Sequence, residues 1–265
     1  MAGRLQDKVV MAVGAGSVGP GWGNGKASAV LFAREGAKVF GIDINPDAAE
    51  ETRSIIEGEG NEATAHVADV TDEPAVEAAV ARCLEVYGRI DILQNNVGIV
   101  DNKDVTETAT ETWDRVMDAN LKSMFLTCKH VVPVMKGQGG GVIVNLGSIS
   151  GVRWNGVPWT TYYTSKAGVL GLSRAIALDH ARDGIRCNTI MPGSMNTPLM
   201  LEPAKKRMSE AEYEEWLVAR DEKIPIGRTG TGWDTAHVAL FLASDDSDYI
   251  TGTSIVVDGG LISRF

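Results

Sequence analysis

The chain has 265 residues, 44% hydrophobic and 23% charged, a balance that permits a full buried core and excludes extensive disorder. Thirty-five acidic against 25 basic residues leave a formal net charge of -10, which excludes a general binder of nucleic-acid backbones. Three widely spaced cysteines (Cys83, Cys128, Cys187) make neither a disulfide framework nor a CxxC site, and no stretch approaches the roughly 18 apolar residues of a membrane span; with no apolar leader at Met1 to Asp7, the expectation is a cytoplasmic protein with no membrane or nucleic-acid partner.

Short apolar runs at 8–13, 38–42, 63–68, 90–94, 141–146, 185–191 and 254–257 predict strands. Helical patterns at 25–35, 46–58, 73–87, 111–135, 162–181 and 233–242 fall mostly between them. This alternation predicts an α/β fold: a doubly wound, Rossmann-type parallel sheet of about seven strands with helices on both faces. The punctuation agrees, with Asn45 and Pro46 reading as a helix start and Gly36, Gly88 and Gly184 standing just past helix ends. No linker or repeat divides the chain, so one domain over 1–265 is expected. The irregular segment 194–231, with a helical stretch at 210–220, is the candidate substrate lid.

After the first strand comes Gly14-Ala15-Gly16-Ser17-Val18-Gly19-Pro20-Gly21-Trp22-Gly23-Asn24-Gly25, followed at once by a helix. Glycines let a backbone approach a pyrophosphate closely, and free N–H groups at a helix start attract anions, so this strand–turn–helix unit predicts a dinucleotide site. Asp43 ends the second strand, where a carboxylate would accept from adenosine ribose hydroxyls and repel a 2′-phosphate; NAD is favoured over NADP. The four histidines, His66, His130, His180 and His237, show no ligand pairing, and no metal is assigned.

Taken in order, Gly14 to Gly25, Asn95-Asn96-Val97-Gly98, Asn120, Ser148, Tyr162-Tyr163-Thr164-Ser165-Lys166 and Pro192-Gly193 to Thr197 make the sequence resemble the short-chain dehydrogenase/reductase family over almost its whole length. The resemblance implies that Gly14, Gly23 and Gly25 lie at the pyrophosphate, Asp43 at the ribose, and Asp69 with Val70 at the adenine. It also implies that Asn96 and Gly98 flank the cofactor, Pro192, Gly193 and Thr197 face its carboxamide, and Asn120, Ser148, Tyr162 and Lys166 form a catalytic tetrad. The resemblance further has Lys166, beside Tyr162, touch the nicotinamide ribose. Three departures stand out. Val13 replaces a threonine, Val97 replaces an alanine, and the glycine loop is longer by about five residues. A loop of that length is similar to that of enoyl-acyl-carrier reductases, but their tyrosine would fall at Trp159.

A free tyrosine, with a pKa of about 10, is a poor base at neutral pH, so alcohol oxidation needs a stabilised phenolate. Lys166 follows Tyr162 by four residues on one predicted helix, which places an ammonium on the same face. Ser148, at a strand end, can hold the substrate oxygen, and the resemblance gives Asn120 a water leading from the lysine to solvent. The reading is an NAD-dependent oxidoreductase acting on a secondary alcohol or ketone. The alternatives are an enoyl-thioester reductase of the same fold and a non-catalytic NAD-binding regulator. Val152, Trp154, Trp159, Met195, Leu199 and Met200 predict an apolar or aromatic substrate, and the resemblance implies a homotetramer.

Overall fold

A strand whose successive side chains point to opposite faces must be apolar throughout if both faces are packed. Val9–Val13 (β1) does this: Val9, Met11 and Val13 enter one core, Val10 and Ala12 the other. The computed structural model describes residues 3–264. The remaining strands are Lys38–Asp43 (β2), Ala63–Val67 (β3), Ile92–Asn95 (β4), Gly141–Leu146 (β5), Ile185–Pro192 (β6) and Ser254–Val257 (β7). All pair in parallel in the order β3-β2-β1-β4-β5-β6-β7. The seven predicted strands are all present, with ends shifted by at most two residues.

One face of the sheet is covered by Asn24–Arg34 (α1), Pro46–Gly58 (α2) and, late in the chain, Gly232–Ala243 (α9). The other carries Glu73–Tyr87 (α3), Ser123–Gly137 (α5) and Thr160–His180 (α6). Asn45 caps α2 by accepting from the Asp47 and Ala48 amides, which satisfies donors that the helix itself cannot. The chain runs outward from β1 to β3 and then restarts on the other side at β4. That reversal opens a crevice at the carboxyl ends of β1 and β4, the usual ligand position in open α/β sheets.

Two elements depart from the sequence expectation. The helix predicted at 111–135 is two helices, Thr110–Met117 (α4) and α5, joined by a π-helical turn at Asp118–Lys122. Within 194–231 a further helix, Pro198–Lys205 (α7), precedes Glu210–Glu222 (α8). Pro198 starts α7 where its missing N–H is harmless, but Pro203 reads as a breaker and hides the helix from a pattern search. Among the described residues no helix is long and apolar enough to cross a membrane.

Candidate functional site

The crevice is a cavity of about 1530 Å³. Gly14, Gly23 and Asn24 line it at the start of α1, whose first turn carries no acidic residue to neutralise its positive end. Gly25 lies behind this wall. A Cβ there would stand 1.9 Å from the Gly14 carbonyl oxygen and 2.5 Å from Asn96 Nδ2, so only glycine lets α1 pack against the turn. Val13 offers the loop no hydroxyl; Asn96 holds its first glycine, donating from Nδ2 to the Gly14 carbonyl at 3.2 Å.

Asp43 is wired to the loop. Its Oδ2 accepts from the Gly16 amide at 2.9 Å and its Oδ1 from the Asn45 amide at 3.0 Å. Asp69 accepts from the amide and hydroxyl of Thr71 at 2.9 and 2.7 Å, and it lines the cavity together with Val70. Ser17 Oγ, Asn24 Oδ1 and Asn96 Oδ1 are buried without a hydrogen-bond partner. Buried polar atoms of this kind are ordinarily satisfied. Three of them beside a glycine loop and an unneutralised helix start fit a phosphate-bearing dinucleotide. The glycine pattern of the sequence gives no signal for Ser17 and Asn24, since neither is one of its glycines.

Further along the cavity, Gly98, Pro192, Gly193 and Thr197 share its wall with Ser148, Tyr162 and Lys166. Ser148 follows β5, and its hydroxyl accepts from the Ser150 amide at 3.1 Å. Lys166 is only 2% exposed; its Nζ donates to the Leu146 carbonyl at 2.7 Å and stands 5.8 Å from the Tyr162 ring centre. Desolvation pulls this ammonium down to about 8. Burial pushes the Tyr162 phenol above its ordinary value, with the Ser148 hydroxyl acting in the opposite direction. The lysine four residues away does not by itself produce the lowered phenol expected from the spacing, because burial of the phenol outweighs it.

Asn120 is fully buried in the π-helical turn and is not on the cavity wall. Its Oδ1 accepts from the Ile99 amide at 2.7 Å, and its Nδ2 donates to the Ile99 carbonyl at 2.9 Å and to Ser165 Oγ at 3.0 Å. The side chain thus braces the turn after β4 against α6, with both amide hydrogens engaged. Asn95 anchors the same strand end, donating to Asn145 Oδ1 at 2.8 Å and accepting from Thr127 Oγ1 at 2.8 Å.

Tyr163 is separated from Tyr162 by its surroundings. Its hydroxyl accepts from the Asn155 amide at 2.9 Å and donates to the Val157 carbonyl at 3.0 Å, so it ties down a loop. Trp159 packs edge-on against Tyr162 at 5.6 Å and donates its indole N–H to Asn102. An indole cannot supply the acid of an enoyl reductase. Trp154, Trp159, Met195, Leu199 and Met200 line the cavity as expected, whereas Val152 does not. Arg220, for which the sequence offered no signal, also lines it. Among the described residues no group of three or more His, Cys, Asp or Glu is placed to hold a metal ion.

A family model described as enoyl-(acyl carrier protein) reductase matches residues 20–262. Cyclohexanol dehydrogenase of Acinetobacter sp. is 36% identical, the match covering 100% of this chain and 98% of that protein. Levodione reductase of Leifsonia aquatica is 37% identical, over 97% of this chain and 95% of that one. A solved structure described as a short-chain dehydrogenase/reductase from Burkholderia xenovorans superposes with a TM-score of 0.92 at 42% identity, covering 100% of both chains. With full-length relatives at these identities and the same parallel seven-stranded sheet, the chain belongs to the short-chain dehydrogenase/reductase family of NAD(P)-using oxidoreductases.

Proposed function

We propose that the protein interconverts a secondary alcohol and a ketone with NAD, Tyr162 being the group that handles the proton. The observation that carries this reading is the meeting of Tyr162, Ser148 and a buried Lys166 on the wall of the cavity that Asp43 also lines.

Gly14 and Gly23, with Gly25 supporting them from behind, would hold the pyrophosphate. Asp43 would take the adenosine ribose, Asp69 and Val70 the adenine, and Asn96 and Gly98 the flank of the cofactor. Pro192, Gly193 and Thr197 would receive the carboxamide, and Lys166 beside Tyr162 the nicotinamide ribose. A 2′-phosphate beside Asp43 would meet a like charge already fixed by the Gly16 amide, which favours NAD. When bound, the oxidised nicotinamide accepts the hydride and adds its positive charge to that of Lys166.

Ser148 donates to the substrate oxygen and holds it for Tyr162, which takes the hydroxyl proton in oxidation and returns it in reduction. Lys166 stabilises the phenolate through its charge. Asn120 acts at one remove, fixing Ile99 and with it the strip containing Gly98 that packs on Lys166. The segment 194–231, through Leu199 and Met200 of α7 and Trp216 of α8, would close over an apolar or aromatic substrate. Exposed Phe125 on α5 and Leu178 on α6 support a homotetramer built through those helices, which light scattering would detect. Three buried free cysteines suit the cytoplasm.

The test is to supply NAD or NADP with a panel of secondary alcohols, and their reduced forms with ketones, while following reduced nicotinamide. Turnover with a higher kcat/KM for NAD is expected. Turnover only with NADP would overturn the cofactor assignment, and none with any alcohol or ketone would overturn the reaction.

A further inference from the structure

The segment containing α7 and α8 gives the cavity wall three cations, Arg207, Arg220 and Lys223. The ion pairs in this part of the chain are Lys205 with Glu202 and Arg228 with Asp234, and they engage none of the three. Arg207 and Lys223 are exposed. Arg220 is half-buried, lies 4.5 Å from the Trp216 ring centre, and donates from Nη2 to the Met195 carbonyl at 2.9 Å and to Asn196 Oδ1 at 3.2 Å. Its Nε is buried with no partner. The neighbouring Asp221 lends Arg220 some opposite charge but no hydrogen bond to Nε, its carboxylate accepting instead from the Thr229 amide at 2.6 Å.

A further arginine of the cavity wall behaves differently. Arg153 donates to the Leu261 and Arg264 carbonyls and so ties down the C-terminal turn. Among the three cations of this segment, Arg220 combines burial, an unmade hydrogen bond and the lack of an ion pair. Desolvation pushes its guanidinium below the ordinary value. A partly desolvated cation and an orphaned donor both cost free energy that an entering anion would return, and a guanidinium matches a carboxylate better than any other anion receptor among the side chains. In a chain of net charge -10, an excess of basic residues does not explain it.

Resting on the oxidoreductase reading above, we propose that the substrate carries a carboxylate on an apolar body: Arg220 receives the carboxylate, Arg207 and Lys223 attract it, and Trp154, Met195 and Ile224 enclose the apolar part. The substrate class is then hydroxy acids and their keto acids, the alcohol or ketone carbon being separate from the carboxylate.

The experiment compares keto acids with their methyl esters of equal length in the wild-type enzyme, then in Arg220→Met and Arg220→Lys. The wild type should favour the acid by about tenfold or more in kcat/KM, and the preference should weaken with salt. Arg220→Met should raise KM for the acid by about tenfold and leave the ester and NADH binding, read by fluorescence, within about twofold; Arg220→Lys should recover part of the preference. Equal use of acid and ester by the wild type would overturn the proposal while leaving the oxidoreductase reading intact. Equal losses for acid and ester in Arg220→Met would make Arg220 only a brace for Met195 and Asn196. Weakened NADH binding with the acid preference retained would assign it to the cofactor diphosphate. Failure of every acid and ester while a simple secondary alcohol or ketone is still turned over would overturn this proposal alone, and failure of those as well would overturn the oxidoreductase reading with it.

Discussion

A Cβ added at Gly98 would stand 3.3 Å from Lys166 Nζ and 3.6 Å from Asn120 Oδ1, so the turn after β4 is pressed directly onto the buried ammonium. Neither neighbour is free to retreat: Nζ is held by the Leu146 carbonyl at 2.7 Å and Asn120 by Ile99. Gly98→Ala should therefore fold, with stability lowered by about 1 kcal/mol, but lose on the order of a hundredfold in kcat through displacement of Lys166. Steady-state kinetics beside thermal unfolding would check it, and wild-type kcat would show that Lys166 tolerates the shift.

Tyr162→Phe removes one hydroxyl and keeps the ring that packs against Trp159. Turnover should disappear while NADH binding stays within about threefold, and Ser148→Ala should cost about two to three orders of magnitude in rate. Because Tyr162 must be deprotonated to accept a proton, oxidation by the wild type should rise with pH and ketone reduction should fall. Retained turnover in Tyr162→Phe would move attention to another base, and Tyr163 is a poor one because both its hydrogen bonds hold the 155–157 loop.

Lys166 carries a stability cost with a definite pH signature. Its folded value of about 8 lies below the ordinary lysine value, so between the two the unfolded chain binds more protons and stability rises with pH. Below about 8 both states are charged and the desolvation cost is present in full. Lys166→Met should accordingly stabilise the protein by about 1–2 kcal/mol near pH ~7, with a gain that shrinks toward pH ~9.5, while abolishing activity. Denaturant unfolding at the two pH values reads this directly, and an equal gain at both would mean that packing, not charge, is responsible.

Asp43→Asn keeps an oxygen for the Gly16 amide and removes the charge. The ratio of kcat/KM for NAD to that for NADP should fall by about tenfold or more, chiefly through better NADP binding. Asp43→Ala should instead weaken both cofactors, since the loop loses its anchor. An unchanged ratio in the asparagine variant would remove Asp43 from cofactor selection.

What the sequence determined by itself was the sheet and the positions of its loops. Strands buried on both faces must be apolar runs, and glycine, asparagine and proline mark helix ends for local steric reasons, so β1 to β7 and the start of α2 were legible from residues close in sequence. The pairing of Tyr162 with Lys166 was legible for the same reason, since helical spacing is local. The tertiary structure decided what those residues experience. It placed Gly25 behind the cavity wall and turned the middle of one predicted helix into a π-helical bracket that aims Asn120 at Ile99. It engaged Tyr163 while leaving Tyr162 on the cavity wall, and it buried Lys166 deeply enough to discharge it near pH 8. It also left the buried Nε of Arg220 without a hydrogen-bond partner. Desolvation and the presence or absence of a partner depend on atoms contributed by segments tens to hundreds of residues apart, and spacing along the chain carries no record of them.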